Sequence, residues 1–141
     1  MEPVVTRVVT RVDTSLRVRY AETDQMGVVY YANYLIWMEV GRVEFCRAQG
    51  IRYRDMEEAD GILLVVAEAN CRYQAPARYD DEVRIATTLS EASPRMVRFD
   101  YELFDQTSGA RLAHGFTKHI FCGRDFRPAK LPKKYWALFG M

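Results

Sequence analysis

Apolar and polar positions alternate in several stretches of this chain. Leu16, Val18 and Tyr20 are separated by Arg17 and Arg19, the two-residue period of a strand with one buried face. The turn-prone run Glu22-Thr23-Asp24-Gln25-Met26-Gly27 ends it. From Asn33 to Gln49 there is no proline, and Tyr34, Met38, Gly41, Phe45 and Ala48 recur at three- and four-residue spacing, which predicts one long helix stopped by Gly50. Glycine costs about 1 kcal/mol inside a helix, so Gly41 in the apolar stripe predicts a neighbouring backbone lying close against it. A short polar helix is expected over Arg52 to Ala59. The continuous apolar run Ile62 to Val66 reads as a strand covered on both faces, and Ala67, Ala69, Cys71 and Tyr73 then alternate with polar residues. Val83, Ile85 and Leu89, then Val97, Phe99, Tyr101 and Leu103, predict two strands joined at Ser93-Pro94. After the turn Thr107-Ser108-Gly109, Arg111 to Phe121 predicts a last strand whose Ala113, Gly115 and Thr117 leave room for a helix. One strand, one long helix and four further antiparallel strands define an α+β domain in which a curled sheet surrounds the helix.

Length and composition agree with a single domain. The 141 residues are 49% hydrophobic, enough to fill one core, and residues 14–141 are assigned to it. Residues 1–13, which carry the unit Val-Val-Thr-Arg twice, are expected to be an N-terminal extension or edge strand. The net charge of +1 is too balanced for a dedicated nucleic-acid or membrane-surface protein, so an anionic ligand must meet a local patch of cations. No apolar run approaches the ~20 residues needed to span a bilayer. Cys46, Cys71 and Cys122 are far apart and odd in number, which suggests reduced thiols, a cytoplasmic location and no metal site.

Chemistry concentrates in the segment between the first strand and the long helix. Asp24 and Gly27 are followed by Val28-Val29-Tyr30-Tyr31 and Tyr34, and then by Trp37, Glu39 and Arg42. A carbonyl under attack becomes an oxyanion, and the free backbone N–H groups at a helix start are suited to hold it. Asp24 on the incoming turn supplies a carboxylate that can attack the carbonyl or activate a water, and Gly27 lets the loop fold tightly enough to bring the two together.

This run is similar to the signature of the hotdog-fold acyl-CoA thioesterases of the 4-hydroxybenzoyl-CoA thioesterase and YbgC-like group. The resemblance extends from about Leu16 to Pro132 and includes Tyr73-x-x-Pro76 and Tyr79-Asp80-Asp81. It implies a hotdog fold and hydrolysis of an acyl-CoA to a carboxylic acid and free coenzyme A, without a metal or separate cofactor. It also implies that Asp24 is the catalytic carboxylate and that the N–H of Tyr31 is the oxyanion donor. Many YbgC-like members have histidine at the position of Tyr31; the tyrosine here is similar to the aromatic-substrate branch, and no histidine-assisted step is expected. His114 and His119, on opposite faces of the last strand, are assigned structural roles.

Tyr30, Asn33 and Trp37 are candidates for substrate binding, although Tyr30 and Tyr34 also suit a core or interface and Trp37 suits a buried core. Glu39 and Arg42 share a helix face and read as an ion pair that supports the site, with a catalytic part for Glu39 as the alternative. Arg95 and Arg98 are candidates for the coenzyme A phosphates, with solvated strand-flanking arginines as the alternative. The resemblance further implies a homodimer or homotetramer. Two other functions fit the same fold: a noncatalytic acyl-CoA-binding module, and a hydratase or dehydratase, for which no histidine lies near Asp24. Acyl preference, the choice between attack and water activation by Asp24, and the pathway are not encoded in residue types.

Overall fold

A computed structural model describes residue 3 and residues 10–141 of the chain. Five strands form one antiparallel sheet: β1 (Arg11–Arg17), β2 (Leu63–Tyr73), β3 (Glu82–Ala92), β4 (Met96–Asp105) and β5 (Arg111–Cys122), in the order β1-β3-β4-β5-β2. Two α-helices, α1 (Asn33–Ala48) and α2 (Tyr53–Asp60), separate β1 from β2, and short 3₁₀ turns lie at Tyr20–Glu22 and Lys133–Phe139. The long helix α1 is thus not alone: α2 stands where the sequence predicts a short polar helix over Arg52 to Ala59, and a C-terminal turn docks through Phe139 onto Phe121 at a ring separation of 5.8 Å.

Helix α1 starts and stops where the pattern predicts. Gly50 adopts φ +81°, and Ile51 N–H reaches back to the Cys46 carbonyl at 2.8 Å, closing the last turn. The stripe Tyr34, Trp37, Met38, Gly41, Phe45 and Cys46 is buried against the sheet, with Phe45 edge-on to Phe99. Gly41 is indeed a point of close approach, but its neighbours are side chains. A Cβ there would run into Thr87 Oγ1 and lie 2.8 Å from Ile85 Cγ2 on β3.

Three sequence expectations are corrected. The first strand ends at Arg17, and Tyr20 is 77% exposed in the following 3₁₀ turn, because Val18 leaves the sheet to pair with the Asp80–Asp81 backbone. The start of β2 is not covered on both faces. It is an edge strand, and Val66 is 52% exposed beside the bulge between Val66 and Glu68. Gly115 on β5 makes room for β2 rather than for a helix, since a Cβ there would strike the Asn70 carbonyl. The Val-Val-Thr-Arg repeat begins at residues 4–9, which lie outside the described residues.

A polar chain crosses the interior. Arg42 donates to the Tyr101 hydroxyl at 3.3 Å, that hydroxyl meets Thr117 Oγ1 at 2.6 Å, and Thr117 meets His119 Nε2 at 2.8 Å. Burial, with a smaller contribution from the Arg42 charge, pushes the imidazole of His119 down to about 3. The ring is thus neutral and structural.

Replacing Gly41 by alanine should cost about 1–3 kcal/mol, because Ile85 and Thr87 must shift; a denaturant midpoint equal to wild type would show that the sheet yields freely. The unfolded chain protonates His119 near its ordinary value of 6.5, whereas the folded chain resists until about pH 3. Stability should therefore fall as pH drops through that window. The melting temperature of His119→Asn should change less than that of wild type between about pH 7 and about pH 5, and equal changes would assign the acid response elsewhere.

Candidate active site

The turn bearing Asp24 is built by its own backbone. Thr23 and Val29 form an antiparallel bridge, Asp24 N–H donates to the Val28 carbonyl at 2.9 Å, and Gly27 N–H returns to the Asp24 carbonyl at 3.0 Å. Gly27 takes φ +79°, a conformation that side-chain-bearing residues adopt at a cost. One carboxylate oxygen of Asp24, Oδ1, accepts Met26 N–H at 2.9 Å, which sets the side chain in an Asx-type turn.

Glu22 attaches this turn to α1. It is 5% exposed, and its carboxylate accepts Arg19 N–H at 2.8 Å on Oε1 and the Trp37 indole N–H at 2.8 Å on Oε2. Burial would push the carboxyl up, but these donors and the nearby Arg19 guanidinium outweigh it and hold the group below the ordinary glutamate value. The main-chain carbonyl of Glu22 accepts two more bonds, from Tyr30 N–H and from Asn33 Nδ2, both at 2.9 Å.

At the head of α1, Asn33 N–H donates to the Tyr30 carbonyl at 3.0 Å and Tyr34 N–H to the Tyr31 carbonyl at 3.3 Å. The amide of Tyr31 has no backbone acceptor among the described residues. From β2, the Tyr73 hydroxyl donates to the Tyr31 carbonyl at 2.9 Å, and its ring meets Tyr34 edge-on at 5.1 Å. The loop after β2 closes the far wall: Val29 N–H donates to the Ala77 carbonyl at 2.8 Å, and Ala77 N–H to the Tyr34 hydroxyl at 3.2 Å. Burial pushes the phenols of Tyr34 and Tyr73 up, so both keep their protons at neutral pH.

These elements enclose a cleft of about 340 Å³ lined by Asp24, Val29, Tyr31, Tyr34, Tyr73 and Pro76, among others. Asp24 and Tyr31 thus share one surface. Tyr30 lies outside the lining, its ring tilted by 45° against that of Tyr31 at 4.6 Å, and Asn33 spends its amide on Glu22. Trp37, 1% exposed, belongs to the core and does not line the cleft. Arg95 lines a separate cleft of about 390 Å³ with Met96, Lys118 and Ile120. Arg98 makes two bonds to Asp100 and lies 4.0 Å over the Phe116 ring. Arg42 turns inward to Tyr101, while Glu39 is exposed. The described residues contain no group of three His, Cys, Asp or Glu side chains placed to hold a metal ion.

Sequence reasoning missed Glu22 and the hydroxyl of Tyr73. Glu22 reads as one more turn acid, and its partner Trp37 is fifteen positions away. Tyr73 is 42 positions from Tyr31, beyond the reach of any local pattern.

Residues 18–137 match the family model of the thioesterase-like superfamily. A putative acyl-CoA thioesterase of Bacillus subtilis, YneP, is 35% identical over 121 residues, which cover 85% of this chain and 86% of that protein. The structure of a DHNA-CoA thioesterase from Staphylococcus aureus is similar at a TM-score of 0.86 and 32% identity, covering 92% of this chain and 88% of the other. The 4-hydroxybenzoyl-CoA thioesterase of Pseudomonas sp. strain CBS-3, at 20% identity, shares the fold with a TM-score of 0.82 over 91% of this chain and 98% of its own.

Proposed function

The chain belongs to the thioesterase-like superfamily, with the hotdog fold of its acyl-CoA thioesterases, and on that premise we propose that it hydrolyses an acyl-CoA at the Asp24 cleft. The observation that carries this reading is the shared surface of Asp24 and Tyr31 in a cleft walled by aromatic and aliphatic side chains. The thioester carbonyl lies with its oxygen toward the Tyr31 N–H, and the acyl group lies against Tyr34, Tyr73 and Pro76. Asp24 either takes a proton from a water that attacks the carbonyl, or attacks the carbonyl itself to form an acyl anhydride on its own carboxylate, which a water then hydrolyses to free the acid and restore Asp24. Negative charge moves onto the carbonyl oxygen, the Tyr31 amide stabilises it, and collapse expels the thiolate of coenzyme A. No further cofactor is required. A cleft of about 340 Å³ lies at the lower end of the usual range for ligand sites, about 300–1,000 Å³, which favours a compact acyl or aryl group.

The coenzyme A phosphates require cations, and Arg95 and Lys118 on the second cleft are candidates from a neighbouring subunit. Strand β2 is an edge with exposed residues from Val66 to Ala69, the kind of edge that pairs with a second copy to remove open backbone groups. A homodimer follows, with doubling to a tetramer as the further step. Three free thiols fit the reducing cytoplasm as its location.

Asp24→Asn keeps the Oδ1 that accepts Met26 N–H, so it should fold with an unchanged melting temperature. It should lose about 10²–10⁴ in thiol release from a panel of aliphatic and aryl acyl-CoA substrates. Turnover retained by the variant would remove Asp24 from the mechanism, and a wild-type protein that binds acyl-CoA without releasing thiol would instead be a binding module. Sedimentation should give at least twice the chain mass of 16.4 kDa; a single-chain mass would overturn the edge-paired assembly.

A further inference from the structure

An oxyanion donor stabilises a transition state only if its N–H direction is fixed before charge develops. The amide of Tyr31 belongs to the peptide joining Tyr30 to Tyr31. Asn33 N–H holds the carbonyl of that same peptide at 3.0 Å, and in a trans peptide the N–H points the opposite way, out of the helix start. What holds Tyr30 and Asn33 in place is the Glu22 carbonyl, which accepts Tyr30 N–H and Asn33 Nδ2, both at 2.9 Å. What holds Glu22 is its own carboxylate, pinned on Oε1 by Arg19 N–H and on Oε2 by the Trp37 indole, each at 2.8 Å.

We infer that Glu22 is the positioning residue of this site: its buried carboxylate, anchored to Trp37 in the core of α1, fixes the turn that aims the Tyr31 amide and presents Asp24. The inference rests on the roles of Asp24 and Tyr31 proposed above. Glu22 does not line the cleft. The arrangement joins two rigid parts, since Trp37 is 1% exposed among the helix–sheet contacts while Asp24 lies only two residues beyond Glu22. A side chain of the right size but lacking one of the two acceptor or donor atoms leaves a buried polar group unpaired, and the turn then relaxes.

Two substitutions keep the packing while breaking the link. Glu22→Gln replaces one acceptor oxygen by a donor, and Trp37→Phe removes the indole N–H while leaving an aromatic ring in the core. Each should lower kcat about tenfold or more with KM within about twofold, because the oxyanion exists only in the transition state and small displacements of its donor are costly. The double variant should lose about as much as either alone, since both break one link. Amide hydrogen exchange supplies a readout that needs no substrate: residues 23–33 should exchange faster in both variants, while β3 to β5 remain as protected as in wild type. If the wild type turns over no thioester, the proposed function falls and the exchange pattern alone decides the role of Glu22. If Asp24→Asn is inactive while Glu22→Gln and Trp37→Phe keep wild-type kcat and exchange, the positioning role falls and the thioesterase reading stands. A KM increase at unchanged kcat, or general loss of protection across the sheet, would likewise overturn it.

Discussion

The close approach of α1 to β3 at Gly41 is the constraint on which the remaining architecture depends. Without a side chain at that position, the helix settles onto Ile85 and Thr87 and carries Trp37, Met38 and Phe45 into the same buried layer. A core of this kind is packed to the density of a crystal, so the axial position and rotation of α1 leave little freedom. Everything at the head of the helix inherits that rigidity. Tyr31 and Asn33 stand where they do because Trp37, one turn further along, cannot move.

Two acidic residues in one short turn have diverged in environment and hence in use. Glu22 is buried and surrounded by donors, which hold its carboxyl below the ordinary glutamate value and fix it in place. Asp24 reaches the cleft with one oxygen held by Met26 N–H, so it is oriented but still faces the space where a substrate would lie. The difference comes from what surrounds each carboxylate: one is enclosed by donors in the interior, the other lines the cleft. The neutral His119 and the protonated phenols of Tyr34 and Tyr73 follow the same rule, since burial disfavours whichever form is charged.

The aromatic residues around the cleft perform two tasks at once. Tyr34 and Tyr73 supply apolar wall, yet each also spends its hydroxyl on backbone, Tyr34 on Ala77 N–H and Tyr73 on the Tyr31 carbonyl. The wall and the helix start are therefore one connected unit, tied to β2 and to the loop that follows it. Arg95 and Arg98 lie apart from this unit, Arg95 on a separate cleft and Arg98 against Asp100.

By itself the sequence determined the strand and helix periods, the stop at Gly50, the turn around Asp24 and Gly27, and the close contact at Gly41. These are local properties: alternation of two or of three and four residues states which face is buried, and glycine or aspartate states where the chain can turn. Periodicity does not say against what a face is buried. The tertiary structure alone decided that β2 is an edge, that Gly115 accommodates a neighbouring strand, that Trp37 serves the core, and that Asn33 binds Glu22 rather than facing the cleft. It also joined Glu22 to Trp37 and Tyr73 to Tyr31, pairs separated by 15 and 42 positions along the chain. Hydrogen bonds of that span form only after the sheet and helix have packed, so their partners depend on the register and rotation of whole elements.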